Sequence, residues 1–161
     1  ARNSGTQAKF IELAGEINSF MPQYVVNRVS EAMNSRAKPI QGSRIGVLGV
    51  SYKKNVGDTS GSPSIKVMEL LLQRGAEVFY SDPHVQCLEG NEFASILASQ
   101  QLSSQSSPLT KEFLTSLDCT IIVTDHDQFD WEKIVQESDL IVDSRNATAH
   151  VTTNRDKIWP A

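Results

Sequence analysis

The chain has 161 residues, of which 39% are hydrophobic and 21% are charged. These values exclude the collagen-like, disordered and disulfide-scaffold classes, and the length predicts one domain with its own core. The formal net charge of −4 gives no general attraction to nucleic acid, so any anion site must be local. No apolar run approaches the roughly 18 residues that span a bilayer, so we expect no membrane partner.

The cysteines and the first residues indicate the compartment. Cys87 and Cys119 lie in no CxxC or cysteine–histidine spacing, which is typical of reduced thiols. The start, ARNSGTQAKF, has neither an initiator Met nor the apolar core of a signal peptide. We therefore expect a cytoplasmic protein and a piece of a longer chain. Cys119 begins an apolar run, so we expect it to be buried and unreactive.

Residues 6–36 are predicted to be helical. Phe10 and Ile17 lie seven positions apart on one helix face, and the apolar pattern resumes at Val26. Pro22 lies between the two halves and removes a backbone donor, so we expect a kink or a fresh start there. The helix either packs on its own domain or serves as a connecting or dimer helix, and the spacing leaves both open.

Strands and helices alternate after a linker at residues 35–43. The predicted strands are residues 44–50, 76–83 and 119–126, and residues 140–146 are predicted to be a fourth strand with its exit loop. The predicted helices begin after the capping positions Ser62, Ser107 and Asp130. This alternation predicts a Rossmann-like, three-layer α/β domain with a mainly parallel sheet, preceded by the long N-terminal connecting helix. We expect a surface loop at residues 98–107 and little regular structure at residues 147–161.

The loop SYKKNVGDTSGSPS, residues 51–64, is the first candidate binding segment, because ligands of open parallel sheets bind at the carboxyl ends of the strands. Lys53 and Lys54 either supply point charges to phosphate oxygens or are solvated loop lysines. The preceding strand carries Gly46 and Gly49 but no third glycine follows, so the tight dinucleotide turn is not predicted.

Arg145 leaves the fourth predicted strand at the same edge of the sheet. Its guanidinium suits phosphate or a uracil carbonyl, and the alternative is an ion pair with Asp143 or a neighbour. His84 is either a base or a hydrogen-bonded loop residue. The run DHD at residues 125–127 could suggest a metal, but adjacent residues do not readily face one ion, so no metal site is predicted. No catalytic residue is predicted.

Several separated motifs resemble one family. Its pattern is [FY]-K-x-[ND]-x-x-D-x-R-x-S-P after a strand, then D-P, then D-x-R. The matching positions here are Tyr52-Lys53, Asn55, Asp58, Ser62-Pro63, Asp82-Pro83 and Asp143-Ser144-Arg145. They resemble the C-terminal domain of the UDP-glucose/GDP-mannose dehydrogenase family, and residues 10–34 resemble the end of its central helical region. The stretches DPHV and ELAGEIN look most like the branch that oxidises UDP-N-acetyl-hexosamines.

The resemblance implies a function for a longer protein. Enzymes of this family oxidise the C6 hydroxyl of a nucleotide sugar to a carboxylate with two NAD, using a catalytic cysteine whose motif is absent here. Residues 1–38 would be the end of the central helical and dimerisation region, and residues 39–161 the UDP-binding domain. The chain would be the UDP-sugar-binding part of an NAD-dependent 6-dehydrogenase, inactive alone, with the remainder of its own chain and a second subunit as partners.

The resemblance also implies site residues. Tyr52 and Lys53 match the aromatic–lysine pair that contacts the nucleotide sugar, and Arg145 matches the arginine that closes over the substrate. Lys54 and Asp58 are secondary candidates.

Ser60 departs from the family pattern. It stands where the family has an arginine that reaches toward the NAD pyrophosphate, and serine carries no charge. Three explanations stay open: weakened NAD binding in the parent enzyme, a site altered in this sequence, or loss of the dehydrogenase reaction. The alternative function is therefore a non-catalytic nucleotide-binding or dimerisation module.

Overall fold

A computed structural model describes residues 3–88, 92–99 and 103–161. The helices are α1 Asn3–Ser35, α2 Pro63–Gln73, α3 Glu92–Ser99, α4 Lys111–Thr115 and α5 Trp131–Glu137, with a 3₁₀ turn at Arg155–Lys157. The strands are β1 Arg44–Leu48, β2 Glu77–Ser81, β3 Cys119–Ile122, β4 Ile141–Asp143 and β5 Ile158–Pro160.

The strands form one sheet in the order β2-β1-β3-β4-β5, and all its pairs are parallel. Val47 pairs with Tyr80 on one side and with Ile121 on the other, which places β1 near the middle. The predicted Rossmann-like domain with a mainly parallel sheet is confirmed. The carboxyl ends of β1 to β4 therefore lie at one edge of the sheet.

Hydrophobic clusters cover both faces of the sheet. The first contains Val47, α1, α2 and α3, and the second contains Leu48, α4 and α5. Successive residues of a strand point to opposite faces, so neighbouring positions of β1 enter different clusters. This arrangement gives the three predicted layers, and the buried Cys119 thiol has its pKa raised by burial, in agreement with the prediction of an inert cysteine.

Helix α1 is one continuous element that contains Pro22. The prediction of a fresh start there is wrong, because a proline removes one backbone bond while the turns that follow are held by packing. Val26, Val29 and Met33 are fully buried against the domain. By contrast, Phe10 is 68% exposed. The described part of the chain contains no helix that combines the length and apolarity required for a membrane span.

Two of the three predicted helix starts are confirmed. The Ser62 hydroxyl accepts a hydrogen bond from the Ser64 N–H before α2, and Asp130 accepts one from the Lys133 N–H at the start of α5. The start predicted at Ser107 is wrong.

Helix α4 begins later, at Lys111, and its capping residue is Thr110, which accepts a hydrogen bond from the Phe113 N–H. The Ser107 N–H instead donates to the Tyr80 carbonyl at 2.8 Å. This contact holds Ser107 beside β2 and away from the helix.

Two described elements were not predicted. Helix α3 lies in a stretch expected to be irregular, and its residues 98–99 fall in the predicted surface loop, of which residues 100–102 lie outside the described residues. Strand β5 lies in the tail and pairs with β4, with Val142 opposite Trp159. A three-residue strand has too little local pattern for prediction, because its neighbour determines its conformation.

Candidate functional site

The candidate binding residues follow β1 and β4, at the edge where ligands of parallel sheets bind. Tyr52 and Lys53 lie on the exposed loop after β1, and the Lys53 Nζ is 5.6 Å from the centre of the Tyr52 ring. Asp58 accepts a hydrogen bond from the Ser60 N–H at 2.8 Å. That bond lowers the pKa of the Asp58 carboxyl and holds the carboxylate against the backbone of its own loop.

Arg145 is paired with a neighbour other than Asp143. Its Nε donates to the Asp125 carboxylate at 3.1 Å, and its side chain is 54% exposed. Among the described residues, the two terminal guanidinium nitrogens make no hydrogen bond. Both therefore stay available to an anion while Asp125 holds the Arg145 side chain.

The two adjacent lysines differ in their partners. Lys54 forms an ion pair with Asp127, whose hydrogen bond raises the pKa of the lysine. Lys53 has no carboxylate within ion-pair distance in the part of the chain that the structure describes. Of the two loop lysines, Lys53 is thus the one whose charge no described carboxylate neutralises.

The loop after β3 connects these cations to the sheet. Asp125 holds Arg145, and Asp127 holds Lys54. Asp127 also exchanges two hydrogen bonds with Asn55, which donates through its Nδ2 at 2.7 Å and accepts through its Oδ1 at 3.0 Å. Asp125 therefore contacts the loop after β4, whereas Asp127 contacts the loop after β1, and no described group of three ligating residues could hold a metal.

A buried carboxylate lies beneath the loop after β1. Asp82, directly after β2, is 2% exposed. Its Oδ2 accepts hydrogen bonds from the Val50 N–H at 2.8 Å and from the Ser51 N–H and hydroxyl. The same oxygen lies 3.0 Å from the Nε2 of His126, which is fully buried. Its Oδ1 accepts from the backbone N–H groups of residues 84 and 85.

These contacts keep Asp82 ionised. Burial alone raises the pKa of the carboxyl, but hydrogen bonds from the His84 and Val50 N–H groups and from Ser51, together with His126, outweigh burial. The pKa of Asp82 consequently lies below its usual value. The carboxylate is a fixed negative anchor for the surrounding loops.

A second buried carboxylate shapes the loop that carries Arg145. Asp143, the last residue of β4, is 4% exposed. Its Oδ1 accepts from the N–H groups of Arg145 and Ala147, and its Oδ2 accepts from the N–H and hydroxyl of Thr148. The position of Arg145 therefore depends on Asp143 through the backbone and on Asp125 through the side chain.

Glycine allows the loops after β1 and β3 to lie against each other. Gly49 has a φ of +79°, and a Cβ there would lie 2.3 Å from the Thr124 carbonyl oxygen. The Thr124 hydroxyl donates to the Ser51 carbonyl at 2.8 Å in the same contact. Gly49 thus serves close packing between loops, and no other glycine turn is needed for this role.

His84 lies beside this cluster. Its ring centre is 4.9 Å from that of His126, and its Nε2 is buried with no hydrogen-bond partner in the described structure. His84 is hydrogen-bonded through its backbone N–H, which donates to the Asp82 Oδ1 at 2.8 Å, and its ring is held by packing against His126.

A groove of about 440 Å³ lies beside Asp82. Its lining is Ser81, Asp82, Pro83, Gln86, Ser106, Ser107, Pro108, Leu109, Gln128 and Phe129. It includes none of the predicted site residues. Lys53 and Arg145, the exposed cations that follow β1 and β4, therefore lie outside this groove.

Sequence reasoning missed the anchoring residues Asp82, Asp125 and His126. The first was read only as the end of a strand and as part of a family motif, and the other two only as an unsuitable metal set. The one local signal in the sequence that could have indicated Asp82 is an aspartate directly after a predicted parallel strand.

The comparisons with known proteins identify relatives. Residues 46–150 match the UDP-binding domain of the UDP-glucose/GDP-mannose dehydrogenase family. A UDP-N-acetyl-D-mannosamine dehydrogenase of Methanococcus maripaludis strain C7 is 38% identical over 122 residues, covering 76% of this chain and 25% of that protein. An NDP-N-acetyl-D-galactosaminuronic acid dehydrogenase of Ralstonia nicotianae is 27% identical over 142 residues, covering 86% and 30%. The chain thus spans 25–30% of the length of these relatives.

Solved structures show the same fold. A UDP-D-ManNAc dehydrogenase from Pyrococcus horikoshii has a TM-score of 0.72 at 24% identity, covering 93% of this chain and 32% of that one. An NDP-N-acetyl-D-galactosaminuronic acid dehydrogenase from Methanosarcina mazei also has a TM-score of 0.72, at 23% identity, covering 92% and 30%. Because the family match covers more than half of the sequence, the chain belongs to the UDP-glucose/GDP-mannose dehydrogenase family, and the matched region is its UDP-binding domain.

Proposed function

We propose that this chain binds the UDP-sugar substrate of an NAD-dependent nucleotide-sugar 6-dehydrogenase. Tyr52, Lys53 and Arg145 contact the nucleotide, and the remainder of the parent chain supplies the catalytic cysteine and most of the NAD site. Residues 1–38 end the central helical region, and residues 39–161 form the UDP-binding domain. The 161-residue chain alone is inactive. Both cysteines are free thiols, which fits a cytoplasmic protein.

One observation carries the proposal: two cations at the same sheet edge have unused donors. Lys53 has no carboxylate partner among the described residues, and neither terminal nitrogen of Arg145 makes a hydrogen bond there. The neighbouring Lys54 is paired with Asp127, and the Arg145 Nε is paired with Asp125. A diphosphate provides the missing negative charge. The arginine fork and the lysine point charge both suit its oxygens.

Calorimetric titration with UDP, GDP and NAD tests the proposal. We expect UDP to bind, and we expect Lys53→Ala and Arg145→Ala each to weaken it about tenfold, as the loss of one charge-assisted hydrogen bond implies. Lys54→Ala is the matched control, because it removes the same charge from the neighbouring, paired position. Equal weakening by both lysine variants would indicate general charge attraction and contradict the assigned contact.

A non-catalytic nucleotide-binding module is the second candidate, and Ser60 favours it. The residue is exposed, and its backbone N–H is bonded to Asp58, so nothing at this position supplies the charge of the family's NAD-contacting arginine. The residues present do not fit that contact, and we assign none to Ser60. NAD-dependent oxidation of a UDP-sugar by the full-length parent protein supports the dehydrogenase, whereas UDP binding without turnover supports the module.

The N-terminal half of α1 supports the proposed homodimer of the parent protein. Its exposed large side chains are Phe10, Ile11, Leu13, Ile17, Phe20, Met21 and Tyr24. Such a contiguous apolar surface is typical of an interface. Sedimentation should therefore show self-association that Phe10→Ser and Phe20→Ser reduce, whereas Asn18→Ser on the same half does not. A monomer at all concentrations would contradict self-association through this surface.

A further inference from the structure

A chain of two hydrogen bonds connects the candidate nucleotide loop to the buried carboxylate. The Asn55 backbone N–H donates to the Nδ1 of His126 at 2.9 Å. The Nε2 of the same ring lies 3.0 Å from the Oδ2 of Asp82. His126 is fully buried, so water does not replace either partner.

The two partners determine the tautomer of His126. A backbone N–H can only donate, so Nδ1 must carry the lone pair. The single ring proton of the neutral imidazole is then on Nε2, where it faces the carboxylate. The neutral ring satisfies both contacts, and neither the other tautomer nor the imidazolium does.

We propose that His126 is a positioning residue for nucleotide binding: its neutral, Nε2-protonated ring holds Asn55 and thereby places Lys53. The proposal rests on the proposed function, since Lys53 must contact the nucleotide for its position to matter. His126 itself touches no ligand in this scheme. It acts through the loop that follows β1.

The segment from Ser51 to Asn55, at the start of this loop, is anchored at both of its ends to the same carboxylate. Ser51 contacts Asp82 directly through its N–H and hydroxyl, and Asn55 contacts it through His126. Lys53 lies between these two anchors. Asn55 also has a φ of +60°, a left-handed conformation that needs support from its surroundings. Loss of the His126 acceptor leaves that support to the side-chain contacts with Asp127.

Protonation of His126 should release the loop. A proton on Nδ1 would face the Asn55 N–H, so an attractive contact becomes a repulsive one, while the contact with Asp82 is kept. The titratable and charged groups around the ring are Asp82 from the β2 exit, His84 packed on the ring, and Asp125 and Asp127 on its own loop, which are paired with Arg145 and Lys54. UDP affinity should therefore be lower with the protonated ring than with the neutral ring.

Nitrogen-15 NMR of the chain without ligand tests the anchor itself. We expect the His126 signals of an unprotonated Nδ1 and a protonated Nε2 at neutral pH, together with slow hydrogen exchange at the Asn55 amide. That amide should lose its protection as His126 becomes protonated. A protonated Nδ1 at neutral pH, or an Asn55 amide that exchanges as fast as those of Lys53 and Lys54, would overturn the proposal.

Two variants then test the effect on UDP binding. His126→Asn puts an acceptor oxygen near the Nδ1 position, and His126→Gln puts a donor near the Nε2 position, while both remove the ring. We expect the Asn variant to stay within about twofold of the wild-type affinity and the Gln variant to bind about tenfold more weakly. Equal affinities in the two variants, with both folded by circular dichroism, would overturn the positioning role. If UDP fails to bind the wild type, the proposed function fails for this chain, and the NMR result still decides whether His126 anchors the loop.

Discussion

The exits of β2 and β4 each depend on a buried aspartate, but the two carboxylates work over different distances along the chain. Asp143 accepts hydrogen bonds from residues up to five positions away, all within its own exit loop. Asp82 accepts from Ser51, 31 positions away, and contacts His126, 44 positions away. One aspartate shapes a turn, and the other joins three loops.

The difference shows two ways in which loops at an open sheet edge are held in place without a ligand. A turn formed by Asp143 needs only its own segment and could form early and locally. The cluster around Asp82 exists only after β1, β2 and β3 are paired, because its donors come from the exits of all three strands. Substitutions of Asp82 and of Asp143 should therefore differ in the size of their effect on stability and in the loops that they disturb.

The largest expected effect is that of Asp82→Ala. Removal of the carboxylate leaves the buried Nε2–H of His126 and the Val50 N–H without this acceptor, and each buried donor left unsatisfied costs about 1–3 kcal/mol. Urea unfolding should show this loss in the free energy of unfolding. A change below about 1 kcal/mol would contradict the role of Asp82 as a joint between loops.

Asp143→Ala should have a smaller effect. Only the Thr148 contacts are buried, whereas the N–H groups of Arg145 and Ala147 are partly accessible to water. We expect a loss of about 1–3 kcal/mol, as for a buried donor left without its acceptor. The same urea experiment measures it, and a loss equal to that of Asp82→Ala would remove the distinction between the two aspartates.

Acid should weaken the Asp82 cluster. The pKa of the folded carboxyl is below its unfolded value, so the stabilisation is fully present above the unfolded pKa, near 3.9. It is lost as the pH falls through the folded pKa. The urea concentration at the unfolding midpoint of the wild type should decrease as the pH is lowered from about 5, and Asp82→Asn should make this decrease smaller. An equal decrease in the variant would assign the acid sensitivity to other groups.

The smallest expected effect on stability is that of Asp125→Asn. The ion pair with Arg145 is partly exposed, and such pairs contribute about 0–1 kcal/mol. UDP affinity should nevertheless fall, because Arg145 loses the contact that orients its free nitrogens. Calorimetry on this variant, with Asp130→Asn as a control at a helix cap outside the site, separates the two effects. Unchanged affinity would show that Asp143 alone suffices to place the arginine.

Much of the fold could be predicted because local interactions determine it. The apolar runs of β1 to β4, the Ser62-Pro63 start of α2 and the Asp130 cap of α5 are signals within a few residues of the element they specify. Ser107 shows the limit of such signals. It has the same Ser-Pro pattern as Ser62, but its N–H is taken by the Tyr80 carbonyl.

By itself, the sequence determined the order of strands and helices, the family motifs, and the short set of cations that could meet a phosphate, since each depends on residue type and short spacing. Only the tertiary structure decided that Asp127 neutralises Lys54, that no described carboxylate pairs with Lys53, and that Asp82 and His126 hold the loop after β1. It also decided the existence of β5, which forms by pairing with β4. The physical reason is the same in each case: hydrogen bonds and ion pairs between distant segments depend on which loops the folded sheet brings within about 3 Å of one another.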